Sequence, residues 1–401
     1  MPEGSPTLGD VVRRFGAALL AERGDAVTPA QRAVMSALSR CRTATLGGHV
    51  YRCDHCGAER IAYNACRDRH CPACLGHKRA AWLEARTAEL LPVPYFHVVF
   101  TVPAEVAALA LGNKKVLYGI LFRAAAQTLQ RLARDRRHLG AAIGFLAVLH
   151  TWTQTLRHHP HVHCVVPGGG LAPDGTRWIP SRARFFLPVR VLSRLFRSQF
   201  RALLAQAAAR GELRFAGRTA ALRDPGAWTR FLARIRHQDW VVYAKPPFGS
   251  PAQVLKYLAR YTHRVAISNR RIVSLTAERV SFRYRDRTRG NAPRTMTLAG
   301  VEFLRRFLLH VLPKGFVRIR HFGFLAPRAR RKLARCRALL HAPGPAPRDP
   351  LVPAAPETDR NDHPDPRCLR CGVGWLRHVA VLPPAPPMTA SWPPRPPPDT
   401  S

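Results

Sequence analysis

Acidic residues are scarce in this chain of 401 residues. Asp and Glu number 24 against 64 Lys and Arg, which gives a formal net charge of +40 and a pI near 11.5. Such an excess of one sign indicates a polyphosphate partner, most simply a nucleic acid. A hydrophobic fraction of 46% excludes a wholly disordered chain and leaves room for two or three domains with a sizeable core.

Long apolar runs are missing as well. No uninterrupted apolar run reaches about 18 residues, so no membrane span and no membrane partner are predicted. The N-terminus shows no basic-then-apolar signal peptide, which predicts a cytoplasmic protein with reduced cysteines. The chain also has no P-loop of the form GxxxxGK[ST], so it lacks the signature of a nucleotide-driven motor.

The cysteines crowd an early segment of the chain. Cys53-x2-Cys56 and Cys71-x2-Cys74 are separated by fourteen residues. Two such pairs in a reducing compartment are typical of a tetrahedral structural zinc site rather than of disulfides. We therefore predict that Cys53, Cys56, Cys71 and Cys74 bind one Zn²⁺ ion.

Other residues leave the zinc ligand set open. Cys66 and His70 are alternative ligands in the same segment, and unrelated free thiols are the plain structural alternative. Cys368-x2-Cys371 has the spacing of half a zinc knuckle, but a lone pair is a weak signal. Basic residues such as Arg67 lie nearby, so we expect a zinc ribbon that contributes to DNA binding. The alternative is a zinc ribbon with a purely structural role.

A histidine-rich stretch from residue 158 to residue 166 carries the main candidate for catalysis. As a strand, it places His161 and His163 on one face, because side chains alternate along a strand. Two neighbouring imidazoles can bind one divalent ion. Pro160 marks the expected beginning of this strand. The plain alternative is a histidine-rich strand that binds no metal.

A third ligand for such an ion is expected from the preceding strand, predicted over residues 144–153. Gln154 ends that strand, which we expect to pair antiparallel with the histidine strand. The alternative for Gln154 is a surface glutamine in a turn. We expect His150, His158 and His159 to be solvated or hydrogen-bonded rather than to act as ligands.

A helix with two tyrosines follows about a hundred residues later. Ser250 and Gln253 form a capping box, and Pro251 suits the first helical position. Tyr257 and Tyr261 lie four residues apart and therefore on one face of this helix. The alternative is that both tyrosines belong to the apolar face of an amphipathic helix and only pack in the core.

The order of predicted elements indicates an α+β fold with a central antiparallel sheet flanked by helices. Helices are expected over residues 8–40, 104–135 and 188–210, and further strands over 95–102 and 240–244. The predicted domains are a helical N-terminal segment (1–50), a zinc-binding domain (51–90), a catalytic domain (92–335) and a proline-rich, mostly disordered tail (341–401).

Imidazoles and tyrosines together suit transesterification at a phosphodiester. A metal held by His161 and His163 polarises the phosphoryl oxygen and neutralises charge. A tyrosine oxygen can then attack phosphorus and conserve the bond energy in a phosphotyrosine link for later rejoining.

These residues resemble a known family. His161-Val162-His163 matches the His-hydrophobic-His motif of HUH endonucleases, and Tyr257-Leu-Ala-Arg-Tyr261 matches the motif of their two-tyrosine branch. From about residue 10 to residue 335, the chain resembles rolling-circle transposases of the insertion sequence 91 family. The further matching motifs are Cys41–Ala44, Leu46–Gly48, Arg69–Cys74, Pro94–Thr101, Trp152-x-Gln154, His159–His163 and Leu312–Phe316.

The resemblance implies an HUH nuclease fold behind an N-terminal zinc-binding domain. It implies cleavage and joining of single-stranded DNA with Mg²⁺ or Mn²⁺, through 5′-phosphotyrosine links. Tyr257 and Tyr261 would be the catalytic nucleophiles, with His161, His163 and Gln154 as ligands of the catalytic ion. Arg260 and Arg264 on the tyrosine helix are candidate DNA contacts. Host replication factors are candidate partners, and the bacterial nucleoid is the expected location.

Three other functions remain open at this point. A plasmid replication initiator or relaxase uses the same nick-and-join chemistry, although the early cysteine cluster favours a transposase. A zinc-containing DNA-binding regulator would use the same histidines and tyrosines only as structural residues. A decayed element would keep the reading frame without activity, although the motif residues are intact.

The charge leads to a first prediction. Binding to single-stranded DNA should weaken steeply with salt, roughly a thousandfold between about 50 and 200 mM, because each phosphate contact releases counterions. Fluorescence anisotropy with single-stranded element ends and with random duplex would measure this. Equal affinity for both DNAs would instead indicate a nonspecific basic protein.

Overall fold

The computed structural model describes residues 5–74, 89–183, 186–245, 253, 266–286, 289–341 and 366–385. By its internal contacts the chain divides into two compact units. Of the described residues, the first unit holds 5–74, 267–286, 289–308 and 366–385, and the second holds the remainder. These units are discontinuous in sequence, which differs from the consecutive domains predicted above.

Helices of the first unit begin at well-defined caps. Thr7 and Asp10 form a capping box at the start of the first helix, and Thr28 and Gln31 do the same before Pro29. Pro29 therefore splits the single helical region predicted over residues 8–40 into two helices. The helices of this unit are α1 (Leu8–Arg23), α2 (Pro29–Arg40) and, from later in the chain, one that we number α7 (Gly300–Leu308).

Two three-stranded antiparallel sheets complete the first unit. One has the strand order β13-β1-β2 and the other β11-β10-β9. Their strands are β1 (Gly48–Cys53), β2 (Glu59–Tyr63), β9 (Ile272–Leu275), β10 (Arg279–Asp286), β11 (Ala292–Ala299) and β13 (Leu376–Leu382). Strand β13 lies in the segment that we predicted to be a mostly disordered tail, so that prediction is wrong for residues 366–385. Hydrogen bonds to β1 hold the segment in place.

The second unit is built around a five-stranded sheet with the order β12-β4-β5-β3-β8. All four neighbouring pairs in this sheet are antiparallel, as the α+β prediction requires. The strands of the unit are β3 (Tyr95–Thr101), β4 (Phe145–Trp152), β5 (His158–Pro167), β6 (Gly169–Leu171), β7 (Trp178–Pro180), β8 (Val242–Lys245) and β12 (Ile319–Phe322).

Helices cover one face of this sheet. They are α3 (Ala104–Gly112), α4 (Lys114–Arg134), α5 (Val189–Ala209) and α6 (Pro225–His237), whereas α8 (Arg330–Leu339) packs on the opposite face. Asn113 separates α3 from α4, so the helical region predicted over residues 104–135 is two helices. Among the described residues, no helix is both long enough and apolar enough to cross a membrane.

The main core lies between the sheet and helices α3 to α6. It contains the large aromatic side chains Phe100, Phe122 and Phe196, all at most 1% exposed. A smaller cluster on the opposite face of the sheet packs Val165 and Leu146 against Leu333 of α8. That cluster covers part of the face opposite to the main core. His161 and His163 of β5 lie on the same face, beside the cluster.

Strand β5 begins earlier than the sequence predicted. It starts at His158 rather than at Pro160, so Pro160 lies inside the strand. Proline is tolerated there because the pairing of β4 with β5 is irregular between His150 and Trp152, and the pairing with β3 begins only at His161.

Candidate active site and metal centres

Strand alternation positions the two predicted histidine ligands. Val162 and Cys164 of β5 are completely buried in the main core. His161 and His163 therefore turn to the opposite face, as predicted. On this face Val165 continues into the smaller cluster, so the histidines mark the end of the face nearest the β4–β5 turn.

A third imidazole joins these two. His150 of β4 is paired directly with His161 across the strands. One ring nitrogen each of His150, His161 and His163 lie within 4.8 Å of one another. We expected His150 to be solvated or hydrogen-bonded, whereas the structure brings it into the cluster. Three converging imidazoles form a donor set that can hold a divalent metal ion.

Hydrogen bonds fix the orientation of two rings. Nδ1 of His161 donates to the carbonyl oxygen of His159 at 2.7 Å, which leaves the lone pair on Nε2. Nδ1 of His163 lies 2.8 Å from Nε2 of His97, and the two rings are stacked with an interplanar angle of 3°. Such outer partners commonly set the tautomer of a ligating histidine. His97, which is buried, was missed by the sequence analysis.

The turn between β4 and β5 holds Gln154. Leu156 in this turn is fully buried and has a left-handed backbone with φ 62°. Nε2 of His310 donates to the carbonyl oxygen of Leu156 at 3.1 Å, and the Thr151 hydroxyl lies 3.1 Å from Nδ1 of His310. These contacts fix the backbone that carries Gln154. Its role as a ligand stays a prediction.

A buried polar group lies beneath the start of β5. Nε2 of His158 is 2.8 Å from the Tyr118 hydroxyl of α4. Burial, together with the positive charges of His310 and Lys114, lowers the pKa of His158 to about 3. Burial also lowers the pKa of Lys114 to about 8, although its ammonium donates to the carbonyls of Leu309 and Val311. His158 is therefore a neutral, structural histidine, as expected.

The tyrosine helix predicted from residue 250 falls almost entirely outside the described residues. Tyr257 and Tyr261 are not among them, nor are the candidate DNA contacts Arg260 and Arg264. Their roles stay predictions.

The cysteines of the first unit form two clusters rather than one. The first contains Cys41, Cys66, Cys71 and Cys74, and the second contains Cys53, Cys56, Cys368 and Cys371. In each cluster the four sulfurs lie within 4.8 Å of one another. The prediction of a single site from Cys53, Cys56, Cys71 and Cys74 is therefore wrong, because each CxxC pair has its own partners.

The first cluster has the dimensions of a thiolate metal site. The Sγ atom of Cys41 lies 3.4 Å from that of Cys74 and 3.5 Å from that of Cys71, and Cys66 lies 3.6 Å from Cys74. These separations are too long for a disulfide bond of about 2.05 Å and close to the edge of a ZnS₄ tetrahedron. Cys66, an alternative ligand in the sequence analysis, is a member, whereas His70 hydrogen-bonds Asp68 at 3.0 Å.

The chain is similar in sequence to known transposases. A family described as "Putative transposase" matches residues 144–333, and one described as "Transposase zinc-binding domain" matches residues 11–102. The chain is 54% identical over 387 residues to "Putative transposase y4qJ" of Sinorhizobium fredii, covering 95% of this chain and 97% of that protein. It is 30% identical over 347 residues to "Transposase for insertion sequence element IS801" of Pseudomonas savastanoi, covering 85% and 82%.

The chain belongs to the insertion sequence 91 family of transposases. No solved structure matches it. DNA is therefore a partner of this transposase, and its zinc-binding domain holds structural Zn²⁺. The histidine cluster lies within the region that matches the transposase family, and the first cysteine cluster lies within the matched zinc-binding domain.

The buried His158 leads to a prediction about pH. Its pKa is lower in the folded state than the ~6.5 of an exposed histidine. Between these two pKa values, His158 binds a proton in the unfolded chain but not in the folded chain. The free energy of unfolding should therefore fall by roughly 2 kcal/mol from His158 alone as the pH drops from about 7 to 5.

Urea unfolding of the wild type and of His158→Gln across this range would measure the effect. Glutamine cannot be protonated but can still hydrogen-bond Tyr118, so the variant should show the shallower pH dependence. If the free energy of unfolding changes equally with pH in both proteins, His158 does not cause the pH dependence.

Proposed function

We propose that this transposase cleaves and rejoins single-stranded DNA through a 5′-phosphotyrosine intermediate, in rolling-circle transposition. The observation that carries the proposal is the convergence of His150, His161 and His163 on one face of the central sheet. Imidazoles crowded onto a sheet face without a metal would gain little, since each must be desolvated. A bound divalent ion explains both their convergence and the hydrogen bonds that orient two of their rings.

His161 and His163 would hold the ion through Nε2, because Nδ1 of each ring is already hydrogen-bonded. His150 and Gln154 are the candidates for the next ligand. A set of imidazoles alone suits transition metals such as Mn²⁺, whereas Mg²⁺ prefers oxygen donors such as the Gln154 amide. When bound, the ion supplies Lewis-acid polarisation of the scissile phosphate.

Tyr257 and Tyr261 would be the nucleophiles. A phenolate oxygen attacks phosphorus, forms a new O–P bond, and displaces the 3′-oxygen of the preceding nucleotide as a hydroxyl. A 3′-hydroxyl of another strand later attacks the same phosphorus and releases the tyrosine. A phenol with a pKa near ~10 leaves more easily than an alkyl alcohol, so the link is reversible. Two tyrosines four residues apart in sequence would allow one to hold a cut end while the other cuts.

The substrate would be the single-stranded ends of the element and of the target. Arg260 and Arg264 lie close to Tyr261 in sequence and would contact phosphates beside the nucleophile. We place the activity on nucleoid DNA in the bacterial cytoplasm, with host replication factors as partners. A replication initiator or relaxase would share the chemistry, but both relatives described above carry the name of transposases.

The histidine cluster leads to a prediction about metal. His161→Ala and His163→Ala should lose Mn²⁺ binding and cleave DNA roughly 100-fold or more slowly, because metal polarisation is worth several kcal/mol. DNA binding should persist, since the ion contacts only the scissile phosphate. Mn²⁺ titration followed by electron paramagnetic resonance would measure binding, and a nicking assay would measure cleavage.

His150→Ala and Gln154→Ala, tested in parallel, would show which of the two completes the ligand set. His237→Ala, on the exposed end of α6, is the matched control and should behave as wild type. Normal Mn²⁺ affinity and cleavage in both His161→Ala and His163→Ala would place the catalytic site elsewhere.

The tyrosines lead to a prediction about the covalent link. Tyr257→Phe and Tyr261→Phe should each abolish complete transposition, while a single variant still forms an adduct through the remaining tyrosine. The double variant should form no denaturation-resistant protein–DNA adduct, because phenylalanine removes only the attacking oxygen. Gel electrophoresis after incubation with labelled single-stranded ends and Mg²⁺ would detect the adduct.

Tyr63→Phe, on strand β2, is the control and should form the adduct normally. An adduct of normal yield from the double variant would show that these tyrosines form only a core stripe. A wild-type protein that binds DNA but forms no adduct would indicate a zinc-containing regulator or a decayed element.

A further inference from the structure

Only half of the second cysteine cluster lies within the regions matched by the two transposase families, because Cys53 and Cys56 fall inside residues 11–102. Those regions end at residues 102 and 333, whereas Cys368 and Cys371 lie beyond both. We propose that Cys53, Cys56, Cys368 and Cys371 bind a second structural Zn²⁺ ion, and that residues 366–385 are thereby an integral part of the zinc-binding unit.

Sulfur positions support a tetrahedral ion. The Sγ atoms of Cys53 and Cys371 are 3.7 Å apart, and those of Cys56 and Cys368 are 3.8 Å apart. With Zn–S bonds of about 2.3 Å, a regular tetrahedron has edges of about 3.8 Å. All four cysteines are free thiols. Four thiolates with this spacing, in a protein whose other cluster serves the same role, favour zinc.

The two halves of the cluster are built alike. Each is a CxxC pair followed by a glycine with a left-handed backbone, Gly57 at φ 70° and Gly372 at φ 69°. In each half, the glycine N–H donates to the carbonyl of the first cysteine, at 3.1 Å for Gly57 and 2.9 Å for Gly372. Paired turns of this kind, called knuckles, are the usual way to present two thiolates to one ion.

Main-chain hydrogen bonds aim further donors at the sulfurs. The Cys56 N–H lies 3.5 Å from Sγ of Cys53, and the Gly374 N–H lies 3.4 Å from Sγ of Cys371. In both halves, main-chain N–H groups therefore hydrogen-bond to a cysteine sulfur. Such donors orient ligands and stabilise negative charge on sulfur.

The segments that carry the two knuckles are joined by a strand pair. Strand β13 pairs with β1 over the register from Gly48–Leu382 to Cys53–Leu376. Asp54 accepts the Trp375 N–H at 2.8 Å and the Arg377 guanidinium at 3.2 Å. The pairing thus ends at the cluster, where the ion would lock its register.

Glycine makes this close approach feasible. A Cβ atom at Gly374 would lie 2.5 Å from Sγ of Cys53, and one at Gly47 would lie 2.5 Å from the Leu382 carbonyl oxygen. Both distances are well inside van der Waals contact. A side chain at either position would therefore push the C-terminal segment away from β1.

Apolar contacts of the C-terminal segment are few among the described residues. In the part of the chain that the structure describes, the hydrophobic cluster around these knuckles has three buried members, Cys53, Cys368 and Leu376, with Tyr51, Ala58 and Cys371 partly buried. So small a core leaves the sheet β13-β1-β2 dependent on another source of stability, which a structural zinc supplies.

Metal analysis of the purified full-length protein tests the proposal. We expect about two zinc ions per chain in the wild type, and about one in Cys368→Ser and in Gly374→Ala. Cys41→Ser should also retain one, from the second cluster. Cys336→Ala and Gly119→Ala are matched controls outside both clusters, and both should retain two. One zinc in the wild type, two in Cys368→Ser, or iron in place of zinc would overturn the proposal.

Alkylation of the native protein, read by mass spectrometry of its peptides, tests the coupling across 318 residues of sequence. In Cys53→Ser, Cys368 and Cys371 should become reactive, whereas Cys71 and Cys74 stay protected. Protection of that second pair shows that the variant remains folded around the first cluster. Unchanged protection of Cys368 and Cys371 in Cys53→Ser, or their free reactivity in the wild type, would overturn the proposal.

Discussion

Strand β5 at the centre of the five-stranded sheet is the constraint on which the candidate catalytic site depends. One of its faces is committed to the main core through Val162, Cys164 and Val166. Because side chains alternate, a slip of one residue would bury His161 and His163 in that core and expose the valines. The apolar residues thus set the register, and the register presents the imidazoles. Hydrogen bonding to β3 and β4 on either side then places His97 and His150 beside them.

One sheet of the first unit obtains its order by other means. Among the described residues, the β13-β1-β2 sheet packs against only a small apolar cluster, and it ends at the sulfurs of the second cysteine cluster. Metal binding and folding are coupled wherever a site is formed only in the folded state. The two sheets would therefore respond to different stresses. The five-stranded sheet depends on buried apolar area, whereas this sheet, with the proposed second ion, would depend on the supply of zinc and on reduced thiols.

Site residues fixed by local interactions could be predicted from the sequence, whereas those fixed by contacts between distant segments could not. Alternation along β5 is local, so the shared face of His161 and His163 could be predicted from the sequence alone. His150 required knowledge of strand register, which depends on the irregular pairing near Pro160 and on a turn held by the left-handed Leu156. The zinc ligands required more still. Two CxxC pairs fourteen residues apart satisfied every local criterion, yet the ligand set depends on which distant segments meet. The one sequence signal available was the repeat of Cys-x2-Cys-Gly at residues 53–57 and 368–372.

The pairing of β1 with β13 has a consequence for the order of synthesis. Chains emerge from the ribosome with the N-terminus first, and domains generally fold as units when they are complete. Here the N-terminal sheet cannot be completed until residues 376–382 have been made, because β13 is its outer strand. The contiguous residues that form most of the second unit are available much earlier. The part of the chain that is translated first is thus among the last to finish folding, and a prematurely terminated transposase would carry an open sheet edge and two unmatched thiolates.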